Sequence, residues 1–353
     1  MRDYTIAAWL VLTVACYFAG SLFAHWPLPL ALLVSLLLAT LAVQALPVSL
    51  GLILPNRDNL RFNSAVCLLV LVAAAVYFAQ SETWLRFVAW QSLALIALIL
   101  GTRAVILAFA VAAPVALVLL WPTSPLAGIG VVALSHALLL FPTLQPNVQW
   151  LGPVVTRFAT DKRELWLTID DGPADDTPAL LDLLDRRNAK ATFFVKGMLA
   201  EQRPELIGEI VARGHSVANH SQTHPSGTFW CLLPSRVRAE VEQCNRVLAP
   251  LTGKKPRWFR APVGHKNASV HPTLAREEMR LIGWTARGFD AVMDDPRQIL
   301  DRILPRVKPG AIVVLHQGRA HSLRVIEHVL DALQERGYAL VIPDDAALRN
   351  TNR

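Results

Sequence analysis

The sequence predicts two parts of different class: an α/β barrel, or a closely related layered fold, preceded by an all-α region that crosses a membrane several times. Three observations carry this. Charge density changes abruptly near residue 149, the first part is a succession of long apolar stretches, and the second alternates short apolar runs with amphipathic ones. The boundary falls between residues 1–145 and 146–353.

The first 150 residues hold five Arg (Arg2, Arg57, Arg61, Arg86, Arg103), no Lys and three acids (Asp3, Asp58, Glu82). A membrane-spanning helix needs roughly 20 apolar residues. Candidate spans are 5–24, 28–54, 64–80, 87–101, 104–121 and 126–141, and none shows the polar face of a helix in a soluble bundle. Only Gly101-Thr102-Arg103 parts the fourth from the fifth, so the number is five or six. With six spans, Arg2, Arg57, Arg61 and Arg103 share one side, and the positive-inside bias makes the N-terminus and the downstream domain cytoplasmic. Removing one span moves that domain to the periplasmic face. A multi-pass protein of the inner membrane is expected either way. Cys16 and Cys67 lie in spans, while Cys231 and Cys244 are free thiols or a pair.

The net charge is +7, and the downstream domain is mildly basic, which favours an anionic surface or substrate. Its basic residues are spread rather than clustered with aromatics, which argues against nucleic acid as a partner.

Taken in order, strand-like runs occupy 165–169, 191–195, 215–219, 257–261, 281–285, 311–315 and 338–342. Helical patterns lie between them at 178–188, 204–213, 235–249, 296–306 and 323–336. Thr177-Pro178 opens one helix, and Gly214 and Gly337 close two others. Repeated strand–helix alternation of this length points to a barrel, where chemistry collects at the C-terminal ends of the strands. The candidate residues follow such strands.

Thr168-Ile169-Asp170-Asp171-Gly172-Pro173 ends the first run with two carboxylates before a turn. Unpaired acids at the mouth of a buried strand are costly unless a cation or a reaction uses them. Because successive strand residues point to opposite faces, one acid is expected to ligate a metal and the other to reach its water. Asn219-His220-Ser221-Gln222-Thr223-His224 places two His four apart, on one face if the segment is a helical turn. Two imidazoles and Asp171 suit a catalytic Zn²⁺, and Fe²⁺ or another divalent ion fits the same donors. Three further strands end in Arg260, placed to pair with Asp170, in Asp290, and in His316.

With these five motifs in order over about residues 160–345, the chain resembles the polysaccharide deacetylases of the NodB-homology type, carbohydrate esterase family 4. The resemblance implies a deformed (β/α) barrel of about seven strands and a metal-dependent hydrolase that removes an N-acyl group, typically acetyl, from an amino sugar in cell-envelope glycan metabolism. It implies Asp170 as the base, Asp171, His220 and His224 as metal ligands, Arg260 as the residue that orients the base, Asp290 as the acid that tunes His316, and His316 as the general acid. Zn²⁺ is the first choice of ion, with Fe²⁺, Co²⁺, Ni²⁺ and Mn²⁺ compatible. Pro262 and Val263 follow Arg260 on the substrate side, and a backbone N–H near Val263 would help hold the oxyanion.

The chain departs from the family pattern at Ile169, Val263 and Ala291, where aromatics are common, and at Gln317, where Asp is frequent. No ligand or acid–base group is lost, but sugar-groove aromatics are missing. Together with the membrane part, this suggests a lipid-linked N-acyl sugar as partner. Phe229 and Trp230 would line an entrance facing the bilayer lipids, with His265 and Lys266 meeting a lipid phosphate. Two other classes remain: a catalytically idle, membrane-anchored glycan-binding module, and a lipid or sugar translocator with an appended hydrolase. No span carries an acid or Lys in its middle, so ion-coupled transport is not indicated.

Overall fold

The computed structural model describes residues 102–349, and the chain divides into two compact units at 136/137. Spans expected at 5–24, 28–54, 64–80 and 87–101 lie outside the described residues. The last two expected spans are helical, as α1 (Thr102–Leu120) and α2 (Pro125–Leu144). Among the described residues, only α2 is both long and apolar enough to cross a membrane, and Phe109–Leu120 is a shorter apolar stretch. Many of their large apolar side chains are exposed, Leu126 at 82 % and Val111 at 75 % among them.

The second unit is built on parallel strands β1 (Glu164–Gly172), β2 (Ala191–Val195), β3 (Ser216–Asn219), β4 (Trp258–Phe259), β5 (Arg280–Leu281), β6 (Ala286–Arg287), β7 (Ile312–His316) and β8 (Ala339–Leu340). Their order is β5-β4-β3-β2-β1-β7-β6, with β8 beside the start of β1. The outer helices are α3 (Thr177–Arg186), α4 (Gly197–Gln202), α5 (Pro204–Ala212), α6 (Pro234–Thr252), α7 (Val270–Arg276), α8 (Pro296–Ile303), α9 (Ser322–Glu335) and α10 (Asp345–Arg349). Pro178 stands in the first turn of α3, and Gly214 and Gly337, both at positive φ, follow α5 and α9.

One expected strand is corrected. The apolar run 281–285 is not a single strand: β5 ends at Leu281 on one edge of the sheet, and β6 begins at Ala286 on the other. Seven strands laid flat would hold their outer members roughly 29 Å apart, at about 4.8 Å per step. The chain from Leu281 to Ala286 reaches at most about 17 Å. The sheet therefore curls into an open, half-barrel form, and Ile282–Thr285 crosses the seam between its two edges. Segment 154–158 seals the seam. Val155 donates its N–H to the Leu281 carbonyl (2.9 Å), Gly283 donates to Val155 (2.8 Å), and the Thr285 hydroxyl donates to Thr156.

Period-two alternation along β1 sorts its side chains. Leu165, Leu167 and Ile169 face the helices and pack with Leu180 and Leu184 of α3 and Val325 and Val329 of α9. Trp166 faces the barrel interior with Phe194, Trp258, Trp284 and Val314. Both faces are buried, which is why the run reads as continuously apolar. Asp170, four residues after Trp166, takes the interior direction at the mouth.

Candidate active site

At the C-terminal end of β1 the register against β2 shifts between Asp170 and Gly172, and Asp171 adopts φ 78°. This bulge cancels the expected opposite facing of the two acids: both carboxylates enter one cleft of about 440 Å³. Gly172 leaves room for Gln317, whose amide nitrogen lies 1.3 Å from where a Cβ would stand.

Asp170 is 3 % exposed and its Oδ1 accepts from Arg260 at 2.7 Å. Arg260, 1 % exposed, also donates to the Thr168 hydroxyl (2.8 Å) and to the seam carbonyls of Ile282 (3.3 Å) and Gly283 (2.9 Å). Its guanidinium carbon lies 4.2 Å from the centre of the Phe194 ring. One buried cation thus ties the acid on β1 to the closure of the barrel.

The two imidazoles sit in a loop, not on a helical turn. Ser221 and His224 adopt positive φ, a shape that no helix allows. Glu240 of α6 holds this loop by accepting from the Thr223 backbone N–H (2.8 Å) and hydroxyl (2.7 Å). His220 Nδ1–H donates to the Arg260 carbonyl (2.8 Å), so Nε2 carries the lone pair. That Nε2 lies 3.1 Å from His224 Nε2 and 3.9 Å from Asp171 Oδ1, and His224 Nε2 lies 3.5 Å from the same oxygen. Donors around a tetrahedral ion with bonds of about 2.1 Å stand roughly 3.4 Å apart. The three residues therefore fit a divalent metal. Burial lowers His220 to about 4 and His224 to about 3, so both are neutral and able to ligate. Burial opposes ionisation of Asp171, but the charges of His220, Lys196 and His224, the imidazoles being protonated at the low pH where this carboxyl titrates, outweigh it and hold the carboxyl well below its usual range.

His316 ends β7 in register with Asp170. Its Nδ1 lies 3.0 Å from Asp290 Oδ1, and its backbone N–H donates to Asp290 Oδ2 at 2.6 Å. Burial disfavours the imidazolium, yet the Asp290 hydrogen bond and charge prevail and raise His316 above the ordinary histidine value. Pro262 is buried, and Val263 stands on the cleft wall at φ 49°.

Four expected placements are corrected. Lys266 is fully buried: its ammonium donates to the carbonyls of Gln145 (2.6 Å) and Pro146 (2.9 Å), just beyond α2, and cannot meet a substrate phosphate. Burial alone brings it to about 7. Phe229 is core, packed on Phe259, and the half-buried Trp230 donates to Gly227 outside the cleft lining. Ile169 faces the outer helices, so its departure from the family pattern leaves the groove untouched, whereas Val263 and Ala291 do line the cleft. Cys231 and Cys244 are both free.

The cleft also holds residues the sequence reading passed over. Lys196 (2.9 Å) and Arg319 (3.3 Å) contact Asp171, and Trp284, Arg287 and Val292 line the wall. Lys196 and Arg287 follow strand-like runs, a signal already used for the acids. Gln317 is buried, accepts from Thr177, and donates its backbone N–H to Asp170 O.

Residues 158–282 match the family model described as Polysaccharide deacetylase. The chain is 34 % identical over 194 residues to the chitooligosaccharide deacetylase of Bradyrhizobium sp. (strain ANU 289), covering 50 % of this chain and 88 % of that protein. It is 31 % identical over 194 residues to the peptidoglycan-N-acetylglucosamine deacetylase PgdA of Listeria monocytogenes serotype 1/2a (strain 10403S), spanning 55 % of this chain and 40 % of that one. A solved family 4 carbohydrate esterase from Streptomyces lividans, in complex with acetate, aligns at 29 % identity and a TM-score of 0.48 over 51 % of this chain and 93 % of its own. The chain belongs to the polysaccharide deacetylase family, and it is a hydrolase of carbon–nitrogen bonds other than peptide bonds.

Proposed function

We propose that the chain is a metal-dependent N-deacetylase that acts at the inner membrane on a lipid-linked amino sugar. One observation carries the reading: an Arg-paired carboxylate, a carboxylate with two imidazoles, and an Asp-paired imidazole converge in one cleft. Relatives named for chitooligosaccharides and for peptidoglycan N-acetylglucosamine support an N-acetylated amino sugar as substrate class. The complete acid–base set supports turnover over a module that only binds glycan.

Asp171, His220 and His224 would hold the ion, with Zn²⁺ the best match to their donors and Fe²⁺, Co²⁺, Ni²⁺ and Mn²⁺ compatible. Such an ion, when bound, supplies Lewis acidity toward the amide carbonyl and acidifies a water. Asp170, oriented by Arg260, takes the proton of the attacking water. The backbone N–H of Val263, in the turn that Pro262 opens on the cleft wall, would help hold the developing oxyanion. His316, kept protonated by Asp290, delivers a proton to the departing amine.

Residues 1–145 would anchor the enzyme through five or six spans. The apolar length of α2 and the exposed apolar side chains of α1 and α2 support a lipid environment. Six spans make the catalytic domain cytoplasmic. Alkaline phosphatase fused after Arg353 should then be inactive, and an active fusion would move the domain to the periplasm. For the chemistry, Asp170→Asn in the full chain should keep its metal and lose roughly 1,000-fold or more in acetate release. Near wild-type turnover in that variant would remove Asp170 as the base.

A further inference from the structure

Arg287 is the last residue of β6 and pairs in register with Val314 of β7. Register partners share a face, so Arg287 enters the barrel mouth beside the Val314 side chain, and both line the cleft with Asp170 and His316. Its guanidinium carbon lies 4.4 Å from the centre of the Phe289 ring and 5.2 Å from that of Trp284. The ring faces attract the cation but accept none of its N–H bonds in the way an anion would. Its Nε is buried without a partner, and no carboxylate among the described residues comes within ion-pair distance of it.

The contrast with the other cations of the cleft is specific. Arg260 has Asp170, while Lys196 and Arg319 have Asp171. Asp290, the acid nearest to Arg287 in sequence, is taken by His316 on both oxygens. Asp290 and Asp170 act on Arg287 only from beyond ion-pair distance, and a half-buried guanidinium with no paired carboxylate is costly unless a ligand supplies the counter-charge. The planar fork of Arg suits the oxygens of a phosphate. The wall beside it is apolar and exposed: Val292 at 81 %, Phe289 at 40 % and Val263 at 38 %. A charge next to an apolar rim fits an anion that joins a sugar to an apolar chain.

We propose that Arg287 binds a phosphate ester on the substrate, so that the reacting N-acyl sugar is a sugar phosphodiester whose apolar chain leaves over Phe289 and Val292. This rests on the deacetylase reading above and assigns the recognition of phosphate to a residue other than the buried Lys266.

The test uses the full-length chain in detergent, as wild type, Arg287→Gln and Arg287→Lys. Acetate release is followed on an alkyl phosphodiester of N-acetylglucosamine, on chitotetraose, and on a carboxylate-bearing N-acetylated sugar. Arg287→Gln should raise KM for the phosphodiester roughly 10- to 100-fold, as expected for lost charge-assisted hydrogen bonds. Its KM for chitotetraose should rise by a clearly smaller factor, because a neutral sugar has no anion to lose. Arg287→Lys, which keeps the charge without the fork, should fall between. Equal losses on the phosphodiester and chitotetraose, or a loss confined to the carboxylate sugar, would overturn the proposal. A second readout needs no turnover: inorganic phosphate, titrated against tryptophan fluorescence, should bind wild type more tightly than Arg287→Gln. Equal phosphate affinity would also overturn it. Arg287-dependent phosphate binding without hydrolysis of any acetylated sugar would instead defeat the deacetylase reading and leave the anion site standing.

Discussion

Replacing Arg260 with Met removes one cation and four hydrogen bonds from a site that is 1 % exposed. Met fills similar space but leaves the Asp170 carboxylate buried and unpaired, along with the Ile282 and Gly283 carbonyls of the barrel seam. Breaking a buried pair by removing one partner costs about 3–5 kcal/mol. For a domain of this size 1 kcal/mol moves the melting temperature by roughly 2–4 °C, so a fall of about 6–20 °C is expected. The variant is followed by tryptophan fluorescence on heating, with Asp170→Asn and the double variant run beside it. Deleting both charges removes the stranded carboxylate, so the double variant should be less destabilised than the sum of the singles by at least about 1 kcal/mol. Turnover should fall with the stability, because Arg260 is what points Asp170 into the cleft. A melting temperature of Arg260→Met within 2 °C of wild type, about 0.5–1 kcal/mol, would refute the argument. So would strict additivity of the two substitutions.

Two more outcomes follow from the same geometry. His220→Ala and His224→Ala should each lower bound divalent metal and activity together, whereas His316→Ala should keep its metal and lose kcat. Full metal occupancy in both ligand variants, by elemental analysis, would break the assignment. His316 is raised by Asp290, and as an acid it must be protonated, so activity is lost as pH rises through its folded value. Asp290→Asn removes that support, and the alkaline limb of the kcat–pH profile should move to lower pH. The stabilising share of the His316–Asp290 pair has the same sign: it is fully present below the unfolded histidine value near 6.5 and fades as pH rises through the folded one. An alkaline limb that stays in place in Asp290→Asn would count against both roles.

The chemistry-bearing residues were legible because each follows an apolar strand. A parallel strand buried on both faces can end in Asp170-Asp171, Arg260 or His316 only where it leaves the core. The alternation of strand-like and helical runs also revealed the α/β class and most of the helices, with boundaries marked by Pro178, Gly214 and Gly337. Local pattern failed where the backbone left regular geometry. Alternation predicted that Asp170 and Asp171 would face opposite ways, but the bulge at Asp171 turns both into the cleft. Four-residue spacing suggested a helical turn for His220 and His224, whereas positive φ at Ser221 and His224 builds a loop that brings the same two nitrogens together.

What the sequence by itself determined is therefore the set of donors and acids and the strand ends that carry them, since these depend on residue type and on short-range burial. What only the tertiary structure decided is which partner each charge finds. Arg260 is paired and Arg287 is not, though both stand at the C-terminal ends of two-residue strands of the same sheet. Lys266 reads as a surface cation after a turn, yet it is buried against carbonyls more than a hundred residues earlier in the chain. Run 281–285 reads as one strand, yet it crosses the seam between the two edges of a curled sheet. Each of these depends on contacts between distant segments, and pairing over such separations leaves no periodic trace in the residues themselves.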